Sequence, residues 1–235
     1  MVLDVASIAP AASRRIRVAL AVCGVGGVAL LSPYFLPRAP VPPAGATADQ
    51  ITAFATQVNL YLGTWLQATG TLLCVIFFLG LVHIAGAATT FAGRLTLLAS
   101  GSLVAVILIE GALTVSVAQA AATGHTQTAL TSWEMMAVFI RIIPIVPAPA
   151  VFLSLGSVLL GSRVLPVVFA YLALVIGVGF EVMGFASVFS SAALVTVILL
   201  LVAMIVWILA AAITLVVREG RTGMDSQQRQ ARVLS

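Results

Sequence analysis

Six stretches of 19 to 27 mostly apolar residues, joined by short polar links, occupy most of this chain and decide what it can fold into. The hydrocarbon core of a bilayer is about 30 Å thick and each helical residue rises about 1.5 Å, so about 20 apolar residues suffice to cross it. The stretches cover residues 18–36, 60–82, 95–121, 134–160, 164–188 and 192–217. Only 8% of the 235 residues are charged and 62% are hydrophobic, whereas a soluble domain carries about 25% charged residues. The sequence therefore predicts an all-α, polytopic membrane helix bundle of six transmembrane helices. A short amphipathic lead at 1–17 precedes it and a polar, mobile tail at 218–235 follows it.

The net charge of +4 points to topology rather than to nucleic acid, because all eleven basic residues are arginines and ten of them are scattered at the ends of segments, with Arg141 alone inside one. Arg14, Arg15, Arg17, Arg94, Arg163, Arg218, Arg221, Arg229 and Arg232 fall on one side of a six-span arrangement and only Arg38 on the other. Positive residues resist translocation, so the arginine-rich side is cytoplasmic and both termini lie inside. Removing one span would place Arg163 and the tail opposite the N-terminus. The expected location is a bacterial inner membrane with lipid as the immediate partner. The run from Val18 to Leu36 is long for a cleaved signal, so it is expected to stay as the first span.

Pro37, Pro40, Pro42 and Pro43 stop the first helix and predict an extended segment running to about Asn59. The fourth span contains Pro144, Pro147 and Pro149, which a regular helix cannot hold without losing backbone hydrogen bonds. It reads as an interrupted span.

Three ionisable residues lie inside apolar stretches: Glu110, Arg141 and Glu181. On the six-span topology each is roughly 10 to 15 Å below the outer surface. A charge at that depth costs at least ~2.5 kcal/mol on insertion scales, so such residues normally face the bundle interior and find partners. The expectation is an intramembrane polar cluster in which Arg141 pairs with one or both carboxylates. Two acids against one base leave one negative charge over, which can hold a proton or a cation, or serve only as an interhelical contact. Glu134, seven residues before Arg141, shares its helical face near the outer surface. Gln67, Thr114, Pro144 and Pro147 are the candidate lining or packing residues around the cluster.

In the second span Asn59, Gly63, Gln67, Gly70 and Cys74 follow helical spacing and form a polar, small-residue stripe expected to face inward. Gly177, Glu181 and Gly184 repeat the device in the fifth. His83 and His125 each stand alone near segment ends, so neither a haem-binding carrier nor a six-helix serine protease finds its histidines within the spans. No zinc spacing or phosphate-cradling glycine loop is present in the sequence, and no catalytic residue, metal or cofactor is expected. Cys23 and Cys74 both fall in apolar stretches and read as packed free thiols. Trp65 and Trp133 suit lipid-interface anchors, while Trp207 fits an anchor and a core residue equally well.

The stretch from Phe152 to Pro166, a small-residue helix end followed by Gly161-Ser162-Arg163 and a proline, resembles a bacterial six-helix integral membrane protein family of unknown function, and Glu110 resembles the single buried acid usual in that family. The resemblance implies the six-helix architecture and no activity. The functional expectation is thus a non-enzymatic multi-pass protein, acting alone, as a homo-oligomer or with a membrane partner. The alternative is a small-solute or ion transporter coupled to a proton or cation through a buried carboxylate.

Overall fold

The computed structural model describes residues 5–32, 42–43, 45–189 and 192–234. Within them lie eight helices and no strand: α1 Val5–Leu31, α2 Ala48–Gln57, α3 Leu60–Ile84, α4 Phe91–Ala122, α5 Thr126–Ile145, α6 Pro147–Leu160, α7 Val167–Phe189 and α8 Ala192–Leu234. Four are long and apolar enough to cross a membrane: α3, α4, Val167–Ser187 of α7 and Thr196–Val217 of α8. This is a membrane-embedded helical protein.

Local chemistry explains the helix boundaries. Asn59 caps α3 by accepting from the Leu62 amide at 3.0 Å, and Thr90 caps α4 by accepting from Gly93 at 3.1 Å. Gly86 and Gly124, at φ 68° and 75°, supply the left-handed residue at the reversals from α3 to α4 and from α4 to α5.

Three segments depart from the sequence expectation. The stretch leading to Asn59 is not wholly extended, because α2 forms there on a capping box: the Thr47 hydroxyl accepts from the Gln50 amide while the Gln50 side chain accepts from the Thr47 amide at 2.9 Å. Its Ile51 is fully buried, and Phe54 meets Trp133 edge-on with ring centroids 5.6 Å apart. Pro37 and Pro40 lie outside the described residues. The fourth stretch is interrupted as expected, into α5 and α6, but α5 begins at Thr126 rather than Glu134, its first two turns being polar helix. The polar tail is helical as far as Leu234, making α8 43 residues long.

Neighbours in space follow the chain. α1 packs on α3, α3 on α4, α4 on both α5 and α6, α6 and α5 on α7, α7 on α8, and α8 closes back onto α1. Counting α5 and α6 as one column, six columns form a closed ring. The half containing α6 is filled by aromatic rings: Phe152 lies 5.7 Å from both Phe78 and Trp207, and Trp207 lies 6.2 Å from Phe169. The indole Nε1 of Trp207 donates to the Phe169 carbonyl at 2.9 Å, and Trp207 is 3% exposed. Of its two roles, the core one is realised.

Candidate functional site

The site is organised by one face of α4. Thr96, Ser100, Leu103, Ile107, Glu110 and Thr114 recur at intervals of four and three, which keeps them on a single stripe. Two contacts fix what that stripe meets. The Thr96 hydroxyl donates to Ser154 Oγ at 2.9 Å, and the Thr114 hydroxyl lies 3.2 Å from Met136 Sδ. The pairs, 96 with 154 and 114 with 136, are 18 residues apart on α4 and 18 apart along α5 and α6. A single antiparallel register therefore holds across the interruption. It sets Leu103 level with Pro147, Ile107 with Ile143, and Glu110 with the backbone of Ile140, one residue before Arg141.

Glu110 is 1% exposed and belongs to this buried face. Its backbone carbonyl accepts from Thr114 Oγ1 at 2.9 Å, one turn on. A methyl group at its neighbour Gly111 would come within 2.8 Å of Thr64 Cγ2, so α3 approaches α4 closely beside the carboxylate because residue 111 has no side chain. Further toward α2, Ser116 and Ser132 share a hydrogen bond of 2.9 Å between α4 and α5. Gln67 is also buried, on α3. This half of the interior is polar, whereas the half with Phe78, Phe152 and Trp207 is aromatic.

The interruption lies next to this face. Val146, at φ −123° and ψ −67°, joins α5 to α6. Its amide still donates to Ile142 at 3.2 Å and its carbonyl still accepts from Ala150 at 3.3 Å. Pro144, Pro147 and Pro149 lack an N–H, so the carbonyls of Ile140, Ile143 and Ile145 lose their usual helical donor. Pro147 and Pro149 are buried and Pro147 opens α6, a position that suits a proline.

The remaining sequence candidates fall in different places. The side chains of Arg141 and Pro144 lie outside the described residues. Glu134 is exposed on α5. Glu181 is exposed on α7, while Gly177 and Gly184, expected to flank it on one inward face, are buried. A methyl group at Gly177 would meet Leu153 of α6 at 2.8 Å, so the glycines mark the packed side and Glu181 stands at the border of the outer one. In the α3 stripe Gln67, Gly70 and Cys74 are buried, but Gly63 has open space around it.

His83 is exposed at the end of α3, and His125 Nδ1 lies 2.8 Å from Thr123 Oγ1 in the turn before α5. Among the described residues no three His, Cys, Asp or Glu side chains gather as metal ligands. Sequence reasoning passed over Thr96, Ser154, Ser116 and Ser132, whose signal was hydroxyl residues on the buried side of apolar helices. Chemically, the α4 face offers a buried carboxyl one turn from the Thr114 hydroxyl and packs against the span that carries the proline-freed carbonyls, a set suited to holding a proton or a cation or to fixing helix positions. Comparison with protein-family models, curated proteins and solved structures finds no match.

Proposed function

We propose that this chain is a non-enzymatic multi-pass protein of a bacterial inner membrane, with six spans and both ends cytoplasmic, whose Glu110 anchors a polar contact between α4 and the interrupted span. The burial of Glu110 at 1% exposure carries the reading, since an acid at that depth persists only where it is held or used. The closed ring of six columns and the distribution of arginines support the span count. The register that sets Glu110 level with the residue preceding Arg141 supports a pair between them.

The break at Val146 favours a second reading, a carrier of a small solute or ion coupled to a proton or cation at Glu110. Interrupted spans with freed carbonyls recur at ion and substrate sites in transporters. Two measurements separate the readings. If the contact is structural, Arg141→Gln lowers thermal stability in detergent and adding Glu110→Gln restores part of it by removing the orphaned charge. If the protein is a carrier, Glu110→Gln keeps its stability and abolishes proton movement in proteoliposomes, read with an internal pH dye under imposed sodium or solute gradients. A stable Arg141→Gln protein would sink the structural reading.

A further inference from the structure

We propose that the outer face of α7 is the contact surface for a second copy of this chain, with Glu181 paired to Glu181 of the partner across a twofold axis. Tyr171, Val175, Val178, Val182 and Phe185 repeat at intervals of four and three along α7, and each is more than half exposed. Apolar residues there are what lipid asks for, and alone they say nothing of a partner. Glu181 is the exception. It is exposed beside Val178 and Val182, eight residues before the end of α7 at Phe189, or about 12 Å into the helix.

Glutamate is too short to reach headgroups from that depth as lysine or arginine can. Among the described residues it makes no hydrogen bond or ion pair. A lipid-facing carboxyl is costly, and covering it by helix association relieves that cost. A second copy is the occupant that fits, because a twofold axis normal to the membrane brings the same residue of both chains to the same depth. A carboxyl is self-complementary there: one protonated group donates to the other, as two acids in one site share a proton. An unrelated partner would need a matching donor at that level.

Seam geometry allows the approach. Valines at 175, 178 and 182 are compact enough for two α7 helices to pack at ordinary helix distances of about 8 to 10 Å. Gly177 of α7 remains committed to α6.

The test uses the full chain in lipid nanodiscs and in mild detergent. Single-molecule photobleaching of the wild type should show two copies, Glu181→Gln should keep them, and Glu181→Leu should weaken the dimer roughly tenfold. With both native cysteines replaced, Val178→Cys should cross-link with copper phenanthroline, while Val202→Cys on the exposed face of α8 should not. A monomeric wild type overturns the proposal, as does an undiminished Glu181→Leu dimer or cross-linking through Val202 alone. Glu181→Leu adds an apolar side chain to an exposed position, so its folding is not at stake. None of these outcomes depends on whether Glu110 carries ions.

Discussion

The Thr96 hydroxyl lies 2.9 Å from Ser154 Oγ, to which it can donate while Ser154 donates to the Ala150 carbonyl at 2.7 Å, and the Ala92 carbonyl one turn back, also at 2.9 Å, is the alternative acceptor for the Thr96 proton. The pair clips α4 to α6 within the apolar half of the bundle. Because each hydroxyl keeps a local acceptor, neither is orphaned when the other is removed.

That redundancy sets the expected effect of Thr96→Val. Ser154 retains its bond to Ala150, so the loss should be near the ~0.6 kcal/mol average for interhelical hydrogen bonds in membranes and below ~2 kcal/mol. Equilibrium unfolding in mixed micelles measures it. The paired variant Thr96→Cys with Ser154→Cys should form a disulfide on mild oxidation, and so should Ser116→Cys with Ser132→Cys. Cross-linking of only one pair would contradict the packing of α4 along both α5 and α6 on which the position of Glu110 rests.

Close packing of α1 on α3 gives a sharper contrast. A methyl group at Gly27 would lie 2.7 Å from Cys74 Sγ and 2.8 Å from the Gly70 carbonyl oxygen, and the second contact is backbone. Gly27→Ala must therefore push the helices apart, at an expected cost of about 1 to 3 kcal/mol, as in other overpacked interiors. Gly63→Ala meets nothing within 4 Å and should be neutral or slightly stabilising, since alanine is the better helix former. Thermal unfolding of the two variants side by side decides the point; equal stabilities would contradict the packing.

At the other end of the bundle Trp207 joins Phe78, Phe152 and Phe169. Trp207→Phe keeps most of the ring contacts and loses the bond to the Phe169 carbonyl, an expected change of about 1 kcal/mol. Trp207→Ala empties the centre of the cluster and should cost about 3 to 5 kcal/mol. Intrinsic fluorescence of Trp207 in a variant lacking Trp65 and Trp133 should be insensitive to aqueous quenchers until the protein unfolds.

Much of this architecture was legible in the sequence because lipid imposes it. Apolar length alone locates α3, α4, α7 and the apolar part of α8 to within a few residues, and the prolines at 144, 147 and 149 mark the break that the structure places at Val146. What apolar length cannot detect is helix with polar content. In the sequence the first turns of α5, the helix α2 and the tail of α8 look like loop or tail for that reason, although Thr47 and Gln50 spell a capping box. The candidate site was half legible. Composition flags Glu110 and Glu181 alike as charges in apolar runs, but only packing distinguishes them: Glu110 faces the interrupted span and Glu181 borders the outside. The spacing of Gly177, Glu181 and Gly184 could not reveal this, since 40° of rotation at the rim of a helix separates buried from exposed.

The six-span arrangement makes opposite demands on two nearby turns. The turn before α5, at Gly124 and His125, and the turn after α6, at Gly161, are separated only by the interrupted span. If α5 and α6 together cross the bilayer, their combined length of about 50 Å at 1.5 Å per residue is ample for a hydrocarbon core of about 30 Å. If the chain instead re-entered at Val146, both turns would share one side. A phosphatase reporter, active only outside the cytoplasm, should be active when fused at His125 and silent when fused at Gly161. A fluorescent protein that matures only in the cytoplasm should give the reverse pattern. Equal signals at both positions would make α5 and α6 a re-entrant hairpin and place Arg163 outside, against the charge asymmetry of the other arginines.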